Sequence, residues 1–363
     1  MDMNIMNCRK RFQAILDYKK ADALPVIFVE PYESHTLKCW REQGMPENTS
    51  PEDFLRLDRF NRENTLRISF GPIPGYEEKI ISEDEQYMTK INYMGNTVVC
   101  RKEAPDMYYG HIGYPVKCRK DWLSYKERFH ACPERYGCPP EDMEISARDS
   151  VNPTHLCIFP FFMRLGFYAM GLERFLTAFY DDPDLIHEMF SDWSEFILDV
   201  ITPVLQHVCL DVVSFGEDLA FKNGSHISPQ IYREFWLPYQ NKIVNEIKKA
   251  GVTNICMYTS GDCRPLLPLM MENGINLTWP LDQYSNMDPM ELRREYGKEL
   301  RLVGGISKQI LTKGPMAIDD RLDELMPLIR EGGFIPAPDD MIPPEVPLKH
   351  VVCLIDKLRG IKL

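Results

Sequence analysis

The chain has 363 residues, of which 44% are hydrophobic and 26% charged, a composition typical of soluble globular proteins. A formal net charge of −12 would repel nucleic acid phosphates and anionic lipids, so we expect neither class as a partner. Eleven cysteines, an odd number without a Cys-x-x-Cys pair, argue against a disulfide framework, and no apolar leader opens the chain. We therefore expect a cytoplasmic protein that acts on a small molecule.

Short apolar segments alternate with helical segments along most of the chain. Helical spacing of apolar residues predicts an entry helix over 5–16. Apolar segments that end in polar residues or glycine predict eight strands, at 25–30, 66–70, 156–162, 211–218, 254–262, 275–282, 300–307 and 333–340. Between them, pairs such as Ser50-Pro51 and Asp182-Pro183 place a capping oxygen before a proline, which is typical of a helix start.

This alternation predicts a parallel sheet, and eight strands predict its closure into a (β/α)8 TIM barrel, a single α/β domain over 1–363. An open doubly wound sheet is the alternative, and it is disfavoured because no Gly-x-Gly-x-x-Gly motif follows an early strand. The segment at 71–150 departs from the pattern, since it is rich in Tyr, Pro, Cys and charge. Alternation around Gly95 predicts a β-hairpin over 86–101. We interpret 71–150 as an insertion that folds over the barrel mouth.

In barrels of this class, catalytic groups lie at the carboxyl ends of the strands. Those positions carry acidic, aromatic and basic side chains: Glu30, Tyr32, Glu33, His35, Arg164, Tyr168, Glu217, Asp218, Tyr258, Asp262, Asp282, Lys308, Asp339 and Asp340. Four strands each deliver one aspartate that we expect at a shared rim: Asp218, Asp262, Asp282 and Asp340. Like charges held together raise at least one pKa, which would supply a proton donor at neutral pH. The alternative for each aspartate is a helix N-cap, as for Asp262 before Arg264-Pro265.

The same rim allows two further interpretations. Oxygen ligands alone suit Mg²⁺ or Ca²⁺, and His226 or Cys263 would add the ligands that Zn²⁺ prefers, so the sequence leaves a metal open. Basic side chains that would hold substrate carboxylates are Arg41, Arg164, Lys222, Arg264 and Lys308. Each of them is alternatively a solvated residue or an ion-pair partner of the acidic rim.

Several motifs in the second half of the chain carry a family resemblance. They are GEDLA at 216–220, ISP at 227–229, FWLPY at 235–239, SGD at 260–262, GGI at 304–306 and PDDMIPPEVP at 338–347. Together they resemble the uroporphyrinogen decarboxylase superfamily, most strongly from about residue 155 to the end. The resemblance implies a (β/α)8 barrel, a homodimer, and one of two activities. These are decarboxylation of the acetate side chains of uroporphyrinogen, or methyl transfer with a corrinoid protein in anaerobic one-carbon metabolism.

Three positions differ from the patterns of those relatives. The decarboxylases carry an arginine-rich stretch after the first strand, where this chain reads EPYESH at 30–35. Their late histidine corresponds to Asp340 here. The zinc-dependent methyltransferases use His-x-Cys after the fifth strand, where this chain has Tyr258-x-Ser260.

These residues favour methyl transfer between a small methyl donor and a corrinoid carried by a partner protein. Asp218, Asp262 and Asp340, with Tyr258, would position or protonate the donor. Aromatic residues expected at the mouth, Tyr32, Trp279 and Tyr284, suit a neutral or cationic donor. Tetrapyrrole decarboxylation is the alternative, with Asp218 or Asp340 as proton donor and Arg164 as carboxylate clamp. A tetrapyrrole-binding protein without catalysis is the third hypothesis.

Overall fold

A computed structural model describes residues 5–30, 32, 34–60 and 66–363. The predicted site residue Glu33 lies outside the described residues. The first half of the chain forms helices α1 (Cys8–Leu16), α2 (Ser34–Glu42), α3 (Pro51–Leu55), α4 (Arg119–Lys126) and α5 (Pro140–Arg148), and strands β1 (Lys79–Glu83), β2 (Tyr87–Ile91), β3 (Thr97–Arg101) and β4 (Ala104–Gly113). Helix α1 begins at the Asn7 cap, whose side chain accepts from Lys10 N, as the predicted entry helix requires.

The second half alternates strands with helices. The strands are β5 (His155–Ile158), β6 (Val212–Gly216), β7 (Ala220–Phe221), β8 (Gly224–Ser225), β9 (Ile255–Tyr258), β10 (Leu277–Trp279), β11 (Arg301–Ile306) and β12 (Phe334–Pro338). The helices are α6 (Phe162–Met170), α7 (Leu172–Asp181), α8 (Pro183–His207), α9 (Pro229–Ile231), α10 (Leu237–Lys249), α11 (Leu267–Asn273), α12 (Pro289–Tyr296), α13 (Lys308–Lys313), α14 (Pro315–Glu331) and α15 (Leu348–Gly360). A π-helical turn, Tyr232–Trp236, joins α9 to α10.

Six of these strands form one parallel sheet in the order β12-β11-β10-β9-β6-β5. All are buried along nearly their whole length, as expected for parallel strands covered by helices. The α/β fold and its parallel sheet are consistent with a TIM barrel. The close approach of neighbouring strands requires a glycine at Gly304, whose φ is +126°. Any larger residue at this position would place its Cβ atom 2.6 Å from Leu281 N, which is too close.

Two predicted strands do not join this ladder. The segment at 66–70 divides its hydrogen bonds: Leu66 N donates to His155 O beside β5, but Ile68 forms an isolated antiparallel bridge with Tyr136. In the segment at 25–30, Val26 forms two hydrogen bonds with Asp58. Val26 N donates to the Asp58 carboxylate, and Asp58 N donates to Val26 O. The partners of Val26 and Ile68 lie outside the six-stranded ladder, and closure into eight strands stays a prediction.

The segment at 71–150 contains a four-stranded antiparallel sheet in the order β1-β2-β3-β4, with β2 and β3 paired from Tyr87↔Arg101 to Ile91↔Thr97. It contacts α6, since Asn96 Nδ2 donates to Tyr168 O and the ring of His111 lies 5.0 Å from that of Phe167. Among the described residues, no helix combines the length and apolar character needed to cross a bilayer.

Candidate functional site

The parallel strands bring their carboxyl ends, and the loops that follow, to one edge of the sheet. Asp218 follows β6, Tyr258 ends β9, and Arg164 lies in the first turn of α6 after β5. On the side of β12, Lys308 begins α13 and Asp340 follows the strand. In α/β folds this edge is where ligands bind, because side chains from several strands meet there without distorting the sheet.

We call five side chains at this edge the mouth cluster: Glu30, Arg164, Tyr168, Asp218 and Tyr258. The Tyr258 hydroxyl donates to Glu30 Oε2 at 2.8 Å. Arg164 Nη2 lies 3.0 Å from Asp218 Oδ2, with both side chains partly exposed. The charge of Arg164 acts on both tyrosines, lowering the pKa of each. The structure thus pairs Arg164, which follows β5, with Asp218, which follows β6. The sequence placed both residues only at the same rim.

The two tyrosines of the mouth cluster hold their protons. Burial and the neighbouring Glu30 carboxylate raise the pKa of Tyr258 far above its ordinary value, against a smaller opposing effect of Arg164. Burial likewise raises the pKa of Tyr168, and Arg164 again opposes it. The mouth cluster therefore contains one cation, two carboxylates and two neutral phenols.

Glu217 lies directly beneath this cluster and is buried. Its Oε2 accepts from Met163 N at 2.8 Å and from Arg164 N at 3.3 Å, while Oε1 accepts from Trp236 Nε1 at 3.0 Å. Burial raises the pKa of Glu217 to about 8, although the three N–H donors and Arg164 act to lower it. With both oxygens engaged by the protein, Glu217 supports the N-terminal turn of α6, and so the backbone of Arg164. The sequence predicts Glu217 only as one of the strand-end residues of the site.

A second group of charges lies after β11 and β12. Lys308 Nζ is paired with Asp340, and Lys308 N donates to the buried Asp339 Oδ1 at 3.0 Å. Burial, and secondarily the charge of Asp282, raise the pKa of Asp339 to about 7, while the N–H of Lys308 lowers it. Burial, and not the grouping of like charges that the sequence predicts among the four rim aspartates, is the main cause of the raised pKa of Asp339 and of Glu217.

The four rim aspartates do not form a single cluster. Asp218 pairs with Arg164 and Asp340 with Lys308. Asp282 caps a short 3-10 turn, accepting from Tyr284 N at 2.8 Å and from Ser285 Oγ at 2.6 Å. Asp262 accepts from Arg264 N at 3.2 Å and from Asn286 Nδ2 at 2.8 Å. Asp282 finds its donors in its own turn, whereas each of the other three aspartates also binds a residue of another segment.

The two hydrogen bonds that Asp262 accepts predict a measurable contribution to stability. The D262A variant removes the acceptor of two hydrogen bonds and is expected to lower the free energy of unfolding by about 1–2 kcal/mol. Asparagine keeps one of the two acceptor oxygens, so D262N is expected to recover about half of that loss. Urea titrations of both variants measure this, and equal losses in D262A and D262N would contradict a contribution from the hydrogen bonds.

The remaining basic side chains are largely paired as well. Arg264 contacts Glu291 and Glu295 at 2.9 Å each, and Arg41 contacts Glu47 at 3.4 Å. Lys222 is exposed in the turn between β7 and β8. Arg264 and Arg41 are therefore ion-paired, but with glutamates elsewhere and not with the acidic rim.

The predicted aromatic residues divide between mouth and core. Trp279 is buried inside the sheet, where its ring lies 5.5 Å from those of Phe60 and His155, so its prediction as a mouth residue was wrong. Tyr32 packs on Trp40 with ring centroids 5.3 Å apart, and His35 is exposed on α2. Nothing in the sequence pattern distinguished these positions, because aromatic side chains at strand ends serve either purpose.

Metal ligands are not gathered in the described ranges of the chain, where no group of three or more His, Cys, Asp or Glu side chains has the arrangement of a metal site. Cys263 is buried with its Sγ 3.9 Å from Met287 Sδ. The ring of His226 packs on Phe221 at 5.3 Å. Both residues thus have packing partners that the sequence did not show.

Sequence reasoning missed two residues that shape the site. Trp236 lies in the π-helical turn and bonds Glu217, and π-helical turns often occur at functional sites. Phe159 follows β5, and its ring lies 5.9 Å from the guanidinium of Arg164 and 6.3 Å from the ring of Tyr168. The available signal was the motif FWLPY at 235–239, which was used for resemblance only.

Comparisons with known proteins agree with this architecture. The methyltransferase from Methanosarcina mazei shares the fold, with a TM-score of 0.61 over 98% of both chains and 17% identity. Uroporphyrinogen decarboxylases of Prochlorococcus marinus (strain NATL1A) and Crocosphaera subtropica are 26% and 24% identical over 151 and 160 residues. These alignments span 40% and 43% of this chain and 40% and 42% of the relatives. The uroporphyrinogen decarboxylase (URO-D) family model matches residues 162–361, and the chain therefore belongs to the uroporphyrinogen decarboxylase family.

Proposed function

We propose that this protein transfers a methyl group between a small methyl donor and a corrinoid carried by a partner protein, with the donor held at the mouth cluster. The observation that carries the proposal is the pairing of the cations at the strand ends. Arg164 is bound to Asp218 and Lys308 to Asp340. A substrate with many carboxylates needs several cations free to receive it. A mouth with paired cations and protonated phenols suits a small donor of low charge better.

The residues of the mouth cluster would bind and orient the donor. Arg164 and Tyr168 form one wall with Phe159, which supplies apolar contact. Tyr258 and Glu30 form the other, with the phenol held in one orientation by its hydrogen bond. Fixing the donor in this way converts an encounter between two molecules into an oriented reaction, which is a large part of catalysis in group transfer.

Aromatic side chains around the mouth support docking of a partner protein. Phe159, Phe221 and Tyr284 are 40%, 51% and 36% exposed on the loops that follow β5, β6 and β10. Phe221 lies on a hairpin fixed by the bond from Asp262 N to Phe221 O at 2.9 Å. Exposed aromatic residues on rigid loops are typical of interfaces and fit a carrier that presents a planar macrocycle. The bound corrinoid would supply the nucleophile that accepts the methyl group.

The same proposal includes the closure of the barrel, the position of the segment at 71–150, the oligomeric state and the cellular location. We infer that the segments at 25–30 and 66–70 complete the sheet to an eight-stranded barrel, because Tyr258 reaches Glu30 and Leu66 bonds to β5. The segment at 71–150 would then cover one side of the mouth through its contacts with α6. A homodimer and a cytoplasmic location belong to this proposal.

The test compares the two reactions of the family directly. Purified protein is incubated with cob(I)alamin and a panel of methyl donors, and separately with uroporphyrinogen. We expect methylcobalamin to form in the first reaction and no CO2 in the second. Release of CO2 from uroporphyrinogen would overturn the proposal in favour of decarboxylation, the activity named for the curated relatives. Tight retention of a tetrapyrrole without turnover in either reaction would favour a binding protein.

A further inference from the structure

The antiparallel sheet in the segment at 71–150 ends in an exposed edge strand. β1 is the outer strand of the order β1-β2-β3-β4, so in the described part of the chain only β2 lies beside it. Every residue of β1 is exposed, including Ile80 at 54% and Ile81 at 53%. An open edge offers backbone N–H and C=O groups to another strand, and apolar side chains on it favour association. β1 is therefore a candidate surface for pairing with a further strand.

The opposite edge of the same sheet is less suited to pairing. β4 contains Pro105, which has no backbone N–H to donate, and its register with β3 shifts at three places. Such irregularities hinder the addition of a strand. β1 has one shift, between Ile80 and Ser82, so that Ile81 has no partner on β2 within the hairpin at 79–91. Of the two edges, β1 is the more regular one.

The sequence of β1 is complementary to itself in an antiparallel pair. The strand reads Lys-Ile-Ile-Ser-Glu over Lys79–Glu83. A two-fold axis at Ile81 would bring Lys79 of each copy opposite Glu83 of the other, and Ile81 opposite its own counterpart. Opposite charges directly across a strand pair stabilise it, whereas like charges destabilise it. A parallel pair in register would instead place like charges side by side, so the charges favour an antiparallel second copy.

We infer that two copies of this chain associate through β1, which joins their four-stranded sheets into one eight-stranded antiparallel sheet. The inference rests on the proposed function only for the homodimer, and it names the surface of that homodimer. An interface with two-fold symmetry uses the same surface on both copies, so the pairing consumes both open edges. Glu83 already lies 3.2 Å from Lys102 of its own sheet. Its carboxylate has two acceptor oxygens and can receive Lys79 of the other copy as well.

The charge pattern allows a test by exchange of charges, with sedimentation velocity of the full chain over a wide range of concentrations. Five residues per strand form a small interface, so we expect a dimer that dissociates on dilution. K79E makes both cross-strand charge pairs repulsive, and so does E83K. Each variant alone should therefore weaken dimerisation by about 10-fold or more. An equimolar mixture of K79E and E83K has opposite charges in both pairs again, and it should dimerise about as strongly as the unmodified protein.

The mixture also verifies that each variant is folded, because only folded chains can restore the dimer. K313E makes the same change of net charge at the exposed end of α13, outside this sheet, and should leave dimerisation unchanged. A dimer that persists in both single variants, or a mixture that stays monomeric, would overturn the inference and leave the homodimer of the proposed function standing. An unmodified protein that is monomeric at every concentration would overturn both, but not the methyl transfer.

Discussion

The W236A variant is expected to lose at least about 4 kcal/mol of unfolding free energy. Trp236 is fully buried, and its ring lies 4.9 Å from that of Phe190 and 5.7 Å from that of Phe179. Removing a buried Trp costs roughly 3–5 kcal/mol through lost burial and the cavity that remains. The variant also removes the hydrogen bond to the buried Glu217 Oε1, which adds an unpaired acceptor. Urea unfolding followed by circular dichroism measures the loss.

The W236F variant separates the two contributions. Phenylalanine keeps an aromatic ring in the cluster and deletes only the Nε1–H and part of the ring. We expect a loss of about 1–2 kcal/mol, consistent with one buried hydrogen bond and a small cavity. A W236F loss as large as that of W236A would show that the bond to Glu217, and not the packing, dominates at this position.

The E217Q variant is expected to flatten the pH dependence of stability. Burial raises the pKa of Glu217 to about 8 from an ordinary 4.5, so the folded protein binds this proton more tightly than the unfolded chain. The resulting stabilisation is fully present below about pH 4.5 and is lost as pH rises through 8. Asp339, raised to about 7, acts with the same sign. Unmodified protein should thus lose stability between pH 6.5 and 8.

That pH window is chosen because a buried histidine acts in the opposite direction at lower pH. Burial lowers the pKa of His155 to about 3, so its neutral form gives stability that increases up to its ordinary value of 6.5. E217Q should have a smaller slope than the unmodified protein from pH 6.5 to 8, with a lower stability at acidic pH. Urea titrations at four pH values provide the measurement. Parallel curves for the two proteins would contradict a proton on Glu217.

Glu217 and Trp236 explain how packing beneath the mouth cluster sets the position of Arg164. The carboxyl ties β6 to the first turn of α6 and to the π-helical turn through three hydrogen bonds. Arg164 lies in that first turn, so its guanidinium depends on residues that never reach the mouth. Changes in the aromatic cluster around Trp236 should therefore alter Arg164 as well as stability.

Most strands of the parallel sheet could be predicted, because a buried strand leaves a local run of apolar residues in the sequence. Buried apolar runs identified β6, β9, β10, β11 and β12, since a parallel strand covered on both faces leaves a continuous apolar signal. In the segments at 25–30 and 66–70, which have the same pattern, Val26 bonds to Asp58 and Ile68 pairs with Tyr136, both outside the ladder. Hydrophobic pattern reports burial, and it does not report which backbone partner is available.

The strand pattern alone predicts that four strands each carry an aspartate to one edge, because the carboxyl ends of parallel strands share that edge. Which charges meet there depends on how distant segments of the chain pack together. Asp218 meets Arg164, whereas Asp262 meets Asn286 and Asp282 bonds within its own turn. Tyr258 meets Glu30 from 228 positions away, a contact that no spacing rule contains. Side-chain pairing depends on distances of a few ångströms between distant segments, and packing of the whole fold sets those distances.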